Sequence, residues 1–146
     1  MPISNYRISK IDGLRKDLKI KSVEVNANSS IISVEKGHDS AIGDYLDVAF
    51  TYTVDYKPDI GHLHIDGNLW WHHDDFKKLI TDLGDKIELQ NEAITEISTA
   101  IIRESMIEAL MYARRLSIPA PLRLPEVSVK AKSLQFKKPK KAEKAG

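Results

Sequence analysis

The sequence predicts an α+β fold, in which helices pack on an antiparallel sheet. Apolar and polar residues alternate through residues 45–56 and again through 62–71, which is the period of a strand with one buried face. Apolar residues then recur at helical spacing over residues 88–116, where the chain has no Gly or Pro. A chain of 146 residues with 42% hydrophobic composition can bury one sizeable core, which favours a single folded domain.

The two alternating segments predict a β-hairpin. Between them, residues 57–61 read Lys-Pro-Asp-Ile-Gly. Pro presets φ and Gly accepts positive φ, so this stretch is typical of a turn. The second strand is therefore expected to fold back antiparallel to the first.

Earlier segments predict two shorter strands. Residues 21–26 alternate, and residues 31–34 form a second β-branched run. Asn and Ser predict a turn at 26–30, and residues 37–43, bounded by Gly, predict a loop. The residues before these, through about residue 18, show no clear period.

Two helices follow the hairpin. Asp74 or Asp75 can cap a short helix at about 76–83, with Gly84 as its stop. The long helix at 88–116 would extend about 40 Å at about 1.5 Å per residue. Its apolar face is broader than one small sheet can cover, which predicts a second contact such as another copy of the chain.

The formal net charge of +1 hides a strong asymmetry. Residues 127–146 hold seven lysines against one acid, Glu143, so this segment carries +6 and the rest of the chain −5. A lysine-rich tail of this kind can bind RNA or an anionic surface by releasing counterions, or can serve only to keep the protein in solution. The candidate RNA-binding residues are Lys130, Lys132, Lys137, Lys138, Lys140, Lys141 and Lys144.

Composition excludes several function classes. The chain has no cysteine, so disulfides, thiolate nucleophiles and Cys-type zinc sites are excluded. No apolar run approaches the roughly 20 residues of a membrane span, and the N-terminus does not read as a secretory signal, which predicts a cytoplasmic protein. Gly-rich phosphate-binding loops and serine-nucleophile motifs are absent from the sequence, so no catalytic residue and no cofactor is predicted.

Four histidines, His62, His64, His72 and His73, fall within twelve residues. On a strand, His62, His64 and Asp66 share one face and resemble part of the H-x-H-x-D-H motif of metallo-β-lactamase-like hydrolases, but Gly67 replaces the last histidine. The favoured interpretation is the solvated face of a half-exposed hairpin, with a metal or pH-sensing role as the alternative.

Aromatic residues offer a further candidate surface. Trp70 and Trp71 end the second hairpin strand on opposite faces. Trp71 is expected in the core. Trp70 either covers an edge or lies under a loop, or it joins Tyr52, Tyr56 and Phe50 in an aromatic surface that grips apolar segments of another chain.

Three segments together resemble the SecB-type export chaperone family. Residues 46–54, Leu-Asp-Val-Ala-Phe-Thr-Tyr-Thr-Val, are similar to that family's central strand. The aromatic-ended return strand is followed by a short and then a long helix, and residues 118–127, Ile-Pro-Ala-Pro-Leu-Arg-Leu-Pro-Glu-Val, are similar to the Pro-rich segment that follows the family's long helix. Arg103-Glu104 also resembles the R-E pair inside that helix.

The resemblance implies a four-stranded antiparallel sheet with a short helix and a long C-terminal helix on one side, self-associating partly through the long helix. The resemblance covers roughly residues 22–129. We assign residues 1–126 to the domain and residues 127–146 to an extended basic tail, which has no counterpart in the family's acidic C-terminal region. The family is a non-enzymatic holdase that binds unfolded polypeptide in apolar grooves. The residues expected to line such a groove here are Phe50, Tyr52, Trp70 and Leu122.

Three functional hypotheses follow. The leading one is a SecB-like holdase for unfolded or nascent polypeptide. The alternative is a ribosome- or RNA-associated protein anchored by the lysine-rich tail. A metal-dependent enzyme is the third and weakest interpretation.

Overall fold

The computed structural model describes residues 3–16, 24–57, 60–118 and 132–139. They form the predicted α+β fold, with a four-stranded antiparallel sheet and a long helix packed on one side of it. The strands are β1 (Ile3–Arg15), β2 (Glu24–Asp39), β3 (Gly43–Lys57) and β4 (Gly61–Trp71). Their order across the sheet is β1-β4-β3-β2, so β1 and β2 are its edges.

The central hairpin confirms the alternation seen in the sequence. Strands β3 and β4 pair in an unbroken register from Leu46 opposite Trp71 to Tyr56 opposite Gly61. Alternate residues of both strands are buried beneath the long helix, and the residues between them lie on the other face of the sheet. Burying one face of each strand is what holds this register, because a slip of one residue would turn the apolar face to solvent.

The edge strands differ from the prediction. Residues 24–39 form one continuous strand rather than two strands with a turn at 26–30, and this strand continues to Asp39 into the segment predicted as a loop. The Asn- and Ser-rich stretch stays extended because it pairs with β3 without interruption over residues 26–30. A bulge between Ile31 and Ser33 displaces Ile32, which is 56% exposed. Two more bulges interrupt β1 and break the period that would have revealed it in the sequence.

A second, smaller sheet occupies the region predicted as the end of the short helix. Helix α1 (Phe76–Leu79) begins as expected but is followed by β5 (Ile80–Asp82), so the predicted helix at 76–83 is wrong in its second half. Gly84, at φ +97°, lies in the turn to β6 (Lys86–Gln90). The third strand, β7 (Ser133–Lys137), pairs antiparallel with β6 on the side away from β5.

Helix α2 (Asn91–Leu116) begins three residues later than predicted, because residues 86–90 are strand. It ends at Ser117, whose left-handed backbone lets the N–H of Ile118 donate to the carbonyl of Ala113. The buried face of α2 covers the large sheet, while Ile107 and Met111 are each 54% exposed. The predicted subunit contact on this face stays a prediction. Among the described residues, no helix is long and apolar enough to cross a membrane.

The C-terminal part of the chain is described only over 132–139. The Pro-rich stretch at 119–125, including Leu122, lies outside the described residues. Strand β7 lies beyond the predicted domain boundary at residue 126, yet it pairs with β6, and its Phe136 packs against the core.

Candidate polypeptide-binding groove

A groove of about 400 Å³ lies between edge strand β1 and helix α2. Its walls are mostly apolar, and two glutamates and an arginine of the helix line it as well. The residues that line it are Ile3, Ser4, Asn5, Tyr6, Thr95, Glu96, Thr99, Ala100, Arg103 and Glu104. We call this feature the β1–α2 groove.

The shape of the groove comes from a bulge in β1. The register with β4 shifts between Ser4 and Arg7, and Asn5 adopts a left-handed backbone with φ +50°. Asn tolerates this conformation better than most residues. The bulge places Tyr6 toward the helix, while the Arg7 guanidinium contacts the Asp47 carboxylate at 3.2 Å.

Tyr6 contacts both the helix and the core. Its hydroxyl is 2.9 Å from the Ser105 hydroxyl of α2, and its ring stacks on Phe50 with centroids 5.4 Å apart. Burial, opposed by the Ser105 hydrogen bond, raises the pKa of Tyr6 above its ordinary value. The phenol therefore stays neutral and keeps its hydrogen bond at physiological pH.

Phe50 and Tyr52, which the sequence placed on a binding surface, lie in the core beneath this groove. They are 2% and 1% exposed, and burial raises the pKa of Tyr52 to about 12. Tyr56 is buried beside them at 1% exposure. These side chains face α2 because they occupy the inward positions of β3, so they support Tyr6 from below instead of meeting solvent.

Trp70 lies on the opposite face of the sheet. Its ring stacks on Tyr45 with centroids 4.1 Å apart and planes 17° apart. Within the described part of the chain, its indole N–H is buried and has no hydrogen-bond partner. Trp70, Tyr52, Tyr56 and Phe50 therefore do not form the single aromatic surface that the sequence suggested. Leu122 lies outside the described residues. The polypeptide-binding role of Phe50, Tyr52, Trp70 and Leu122 stays a prediction.

The histidines of β4 lie on the outer face of the sheet, as predicted. His64 Nε2 is 2.8 Å from Asp66 Oδ1 and 3.3 Å from the Thr51 hydroxyl. The pKa of Asp66 lies below its usual value. Partial burial acts to raise this pKa, but the hydrogen bonds from Thr51 and His64 and the charges of His64 and Lys10 together outweigh the burial. The arrangement is that of an exposed polar network.

His73 makes a separate cluster with two glutamates at the start of α2. Its Nε2 is 3.1 Å from Glu92 and 3.8 Å from Glu96, so the three groups are close enough to hold a metal ion. However, the backbone N–H of Asp75 donates to His73 Nδ1 at 2.9 Å, and Trp71 Nε1 donates to Glu96 at 2.8 Å. A neutral ring that accepts at Nδ1 carries its proton on Nε2, where a metal would have to bind. In this geometry the cluster is a set of hydrogen bonds that joins β4 to α2.

The lysines predicted to bind RNA are only partly described. Lys132, Lys137 and Lys138 lie in or beside β7, and Lys138 pairs with Asp82 at 2.9 Å. Lys130, Lys140, Lys141 and Lys144 lie outside the described residues. RNA binding by this segment stays a prediction.

Comparisons with known proteins bear on the fold. No protein-family model matches the sequence, and no curated protein matches it significantly. The structure is similar to that of the SecB-like chaperone Rv1957 of Mycobacterium tuberculosis, solved in complex with a ChAD peptide from the Rv1956 HigA1 antitoxin. The TM-score is 0.51 at 10% sequence identity, over 88% of each chain.

The fold is SecB-like. The likeness covers 88% of the chain, and the four-stranded antiparallel sheet with its long helix confirms the α+β architecture that the resemblance implied. The β1–α2 groove itself was missed by the sequence prediction. Its β1 wall depends on a bulge that breaks the alternation in the sequence, and only the Arg103-Glu104 pair had been noted among its residues.

Proposed function

We propose that the protein is a chaperone that holds non-native polypeptide in the β1–α2 groove without covalent chemistry. Its SecB-like fold supports this proposal, since the similar protein Rv1957 is a chaperone solved with a bound peptide. The observation that carries the proposal is an apolar groove placed directly beside an edge strand.

The groove offers two kinds of interaction to an extended segment. The β1 edge presents backbone groups for strand addition, which depends little on client sequence. Apolar client side chains that enter beside Ile3, Tyr6 and Ala100 leave water, at roughly 25 cal/mol per Å² of apolar area. A binding mode of this kind suits unfolded chains, because they expose both backbone and apolar side chains.

The charged side chains along the groove would set a preference among clients. Arg103 lies one turn of α2 from Thr99, with Glu96 and Glu104 on the same wall. Glu96 is held in place by the indole of Trp71 at 2.8 Å. Two acids against one base favour clients that carry a positive charge near their apolar residues.

Filling the groove tests the proposal. Thr99→Trp places a large ring between β1 and α2, and we expect it to weaken client holding about tenfold, equivalent to about 1.4 kcal/mol. The measurement is light scattering of a chemically unfolded client diluted into the protein without ATP. Thr53→Trp is the matched control, since Thr53 is also half-buried but lies on the opposite face of the sheet.

Two results would contradict the proposal. If the unmodified protein leaves client aggregation unchanged at equal concentration, holding is absent. If the Thr99 and Thr53 variants lose activity to the same degree, the groove is not where the client binds.

A further inference from the structure

Strand β7 is bound to the small sheet in the way that an added peptide strand is. It pairs with β6 over five residues, from Ser133 opposite Gln90 to Lys137 opposite Lys86. One more backbone bond extends the ladder, because the N–H of Asn91 donates to the carbonyl of Lys132 at 2.9 Å. In chain order, β7 comes after helix α2 and the stretch that follows it, so it reaches β6 from a distant part of the chain.

The rest of the chain provides the seat for β7. Ile87 and Leu89 of β6 are fully buried and lie opposite Phe136 and Leu134. Two acidic side chains flank this apolar pair. Glu88 accepts from the Ser133 hydroxyl at 2.8 Å.

The second acid, Asp82, receives the positive charge that follows β7. Lys138 Nζ lies 2.9 Å from one of its carboxylate oxygens, and Lys36 Nζ lies 3.9 Å from the other. The backbone N–H of Gly84 and the lysines hold the pKa of Asp82 below its usual range, so the carboxylate is charged at neutral pH. The surface around β6 therefore contacts two apolar side chains, Leu134 and Phe136, and one basic side chain, Lys138, which occupy alternate positions.

Several features make β7 a replaceable occupant. Leu134 stays 41% exposed, so it contributes only part of the burial that its size allows. Lys137 lies directly opposite Lys86, and like charges in this position destabilise strand pairing. Backbone hydrogen bonds, which make up the ladder, are available to any extended chain.

We infer that the β6 edge is a second polypeptide-binding site, which accepts extended segments with two apolar residues and a basic residue at alternate positions, and that β7 is its resident occupant. This inference builds on the proposed function, since it assigns client chemistry to a second surface. A client segment of this pattern would displace β7 and take over its backbone bonds, its apolar contacts and its ion pair with Asp82. The apparent affinity for the client is then the intrinsic affinity multiplied by the fraction of molecules in which β7 is unseated.

A reversible lock on β7 tests the inference. The chain has no native cysteine, so Lys86→Cys with Lys137→Cys introduces the only thiols. Asn91 and Lys132 form a hydrogen-bonded pair of the same ladder, so alternation places residues 86 and 137 at a non-hydrogen-bonded pair. Such pairs have Cα atoms about 4.5 Å apart, within the range that a disulfide spans.

The probe is a fluorescein-labelled octapeptide with the sequence of residues 132–139, Lys-Ser-Leu-Gln-Phe-Lys-Lys-Pro. We expect the reduced protein to bind it and the oxidised protein to bind it at least about tenfold more weakly, with recovery on addition of dithiothreitol. A peptide with Ser in place of Leu and Phe should bind neither form. The two single-cysteine variants, oxidised in the same way, control for the thiols and the lost charges.

Phe136→Ala in the full-length chain supplies an independent test. If β7 is an exchangeable occupant, this substitution raises the affinity for the octapeptide several-fold. If β7 is only structural, the variant loses stability and gains no peptide binding, which overturns the inference.

Further results would overturn the inference, and one would overturn the proposed function as well. Equal peptide binding by the oxidised and reduced proteins overturns the inference, and so does a disulfide that joins two chains on a non-reducing gel. If the reduced protein ignores the peptide but still suppresses client aggregation, the inference fails and the proposed function stands. If it does neither, both fail.

Discussion

The two sheets of this protein are built in different ways. The large sheet consists of strands of 11 to 16 residues, and its central strands β3 and β4 are close in sequence. The small sheet has strands of 3 to 5 residues, one of which comes from the far end of the chain. The central β3–β4 pair is long, local in sequence and buried on one face, which is typical of a rigid scaffold. The β6–β7 pair is short and leaves Leu134 partly exposed, which is typical of an element with lower local stability.

Truncating an apolar side chain should cost far more stability in the large sheet than in the small one. Ile65 of β4 is fully buried and Leu134 of β7 is 41% exposed. We expect Ile65→Ala to lower the free energy of unfolding by about 3 kcal/mol, and Leu134→Ala by less than about 1 kcal/mol. Urea denaturation measures both. Equal losses would mean that β7 belongs to the same cooperative unit as the large sheet.

A glycine in each sheet should also respond differently to an added side chain. A Cβ on Gly67 of β4 would overlap the Arg7 carbonyl and lie 2.8 Å from the Phe50 ring, so Gly67→Ala must move an edge strand or a core residue. We expect a loss of about 2 kcal/mol in unfolding free energy. Gly84 in the small sheet has open space around it and only its positive φ opposes a side chain, so Gly84→Ala should lose about 1 kcal/mol. Thermal unfolding measures both losses. A larger loss for Gly84→Ala than for Gly67→Ala would contradict this prediction.

The smallest effect concerns pH. The folded pKa of Asp66 lies below its ordinary value of 3.8, so its stabilising contribution is complete above that pH and is lost as the pH falls through the folded value. Asp66 is partly exposed, which limits the contribution to less than about 1 kcal/mol. Asp66→Asn should therefore lower stability at pH 6, and the difference from the unmodified protein should shrink as the pH falls below 3.8. A constant difference between the proteins across that range would contradict the assignment.

The sequence was informative where a strand or helix has one continuous buried face. The β3–β4 hairpin and most of α2 were predicted because each alternates or repeats without interruption. Bulges hid β1, and Asn and Ser within β2 imitated a turn. The small sheet was hidden as well, since strands of three to five residues leave almost no periodic signal.

The candidate site was harder to predict than the fold. Phe50 and Tyr52 were chosen because they are aromatic, but residue type does not distinguish a core position from a binding surface. Tyr6 was passed over because its strand showed no period. The groove needs residues 3–6 and residues 95–104 together, and no local pattern reports that contact.

By itself, the sequence determined the α+β class, the central hairpin, the long helix and the resemblance to SecB-type proteins, because these depend on local periodicity and on the order of short motifs. Tertiary structure alone decided which aromatic residues are buried, where a groove opens beside an edge strand, and which part of the lysine-rich segment becomes a strand. Each of those outcomes depends on backbone partners and packing surfaces supplied from distant positions in the chain. The physical reason is that burial and strand pairing are properties of the assembled neighbours, which a single segment does not encode.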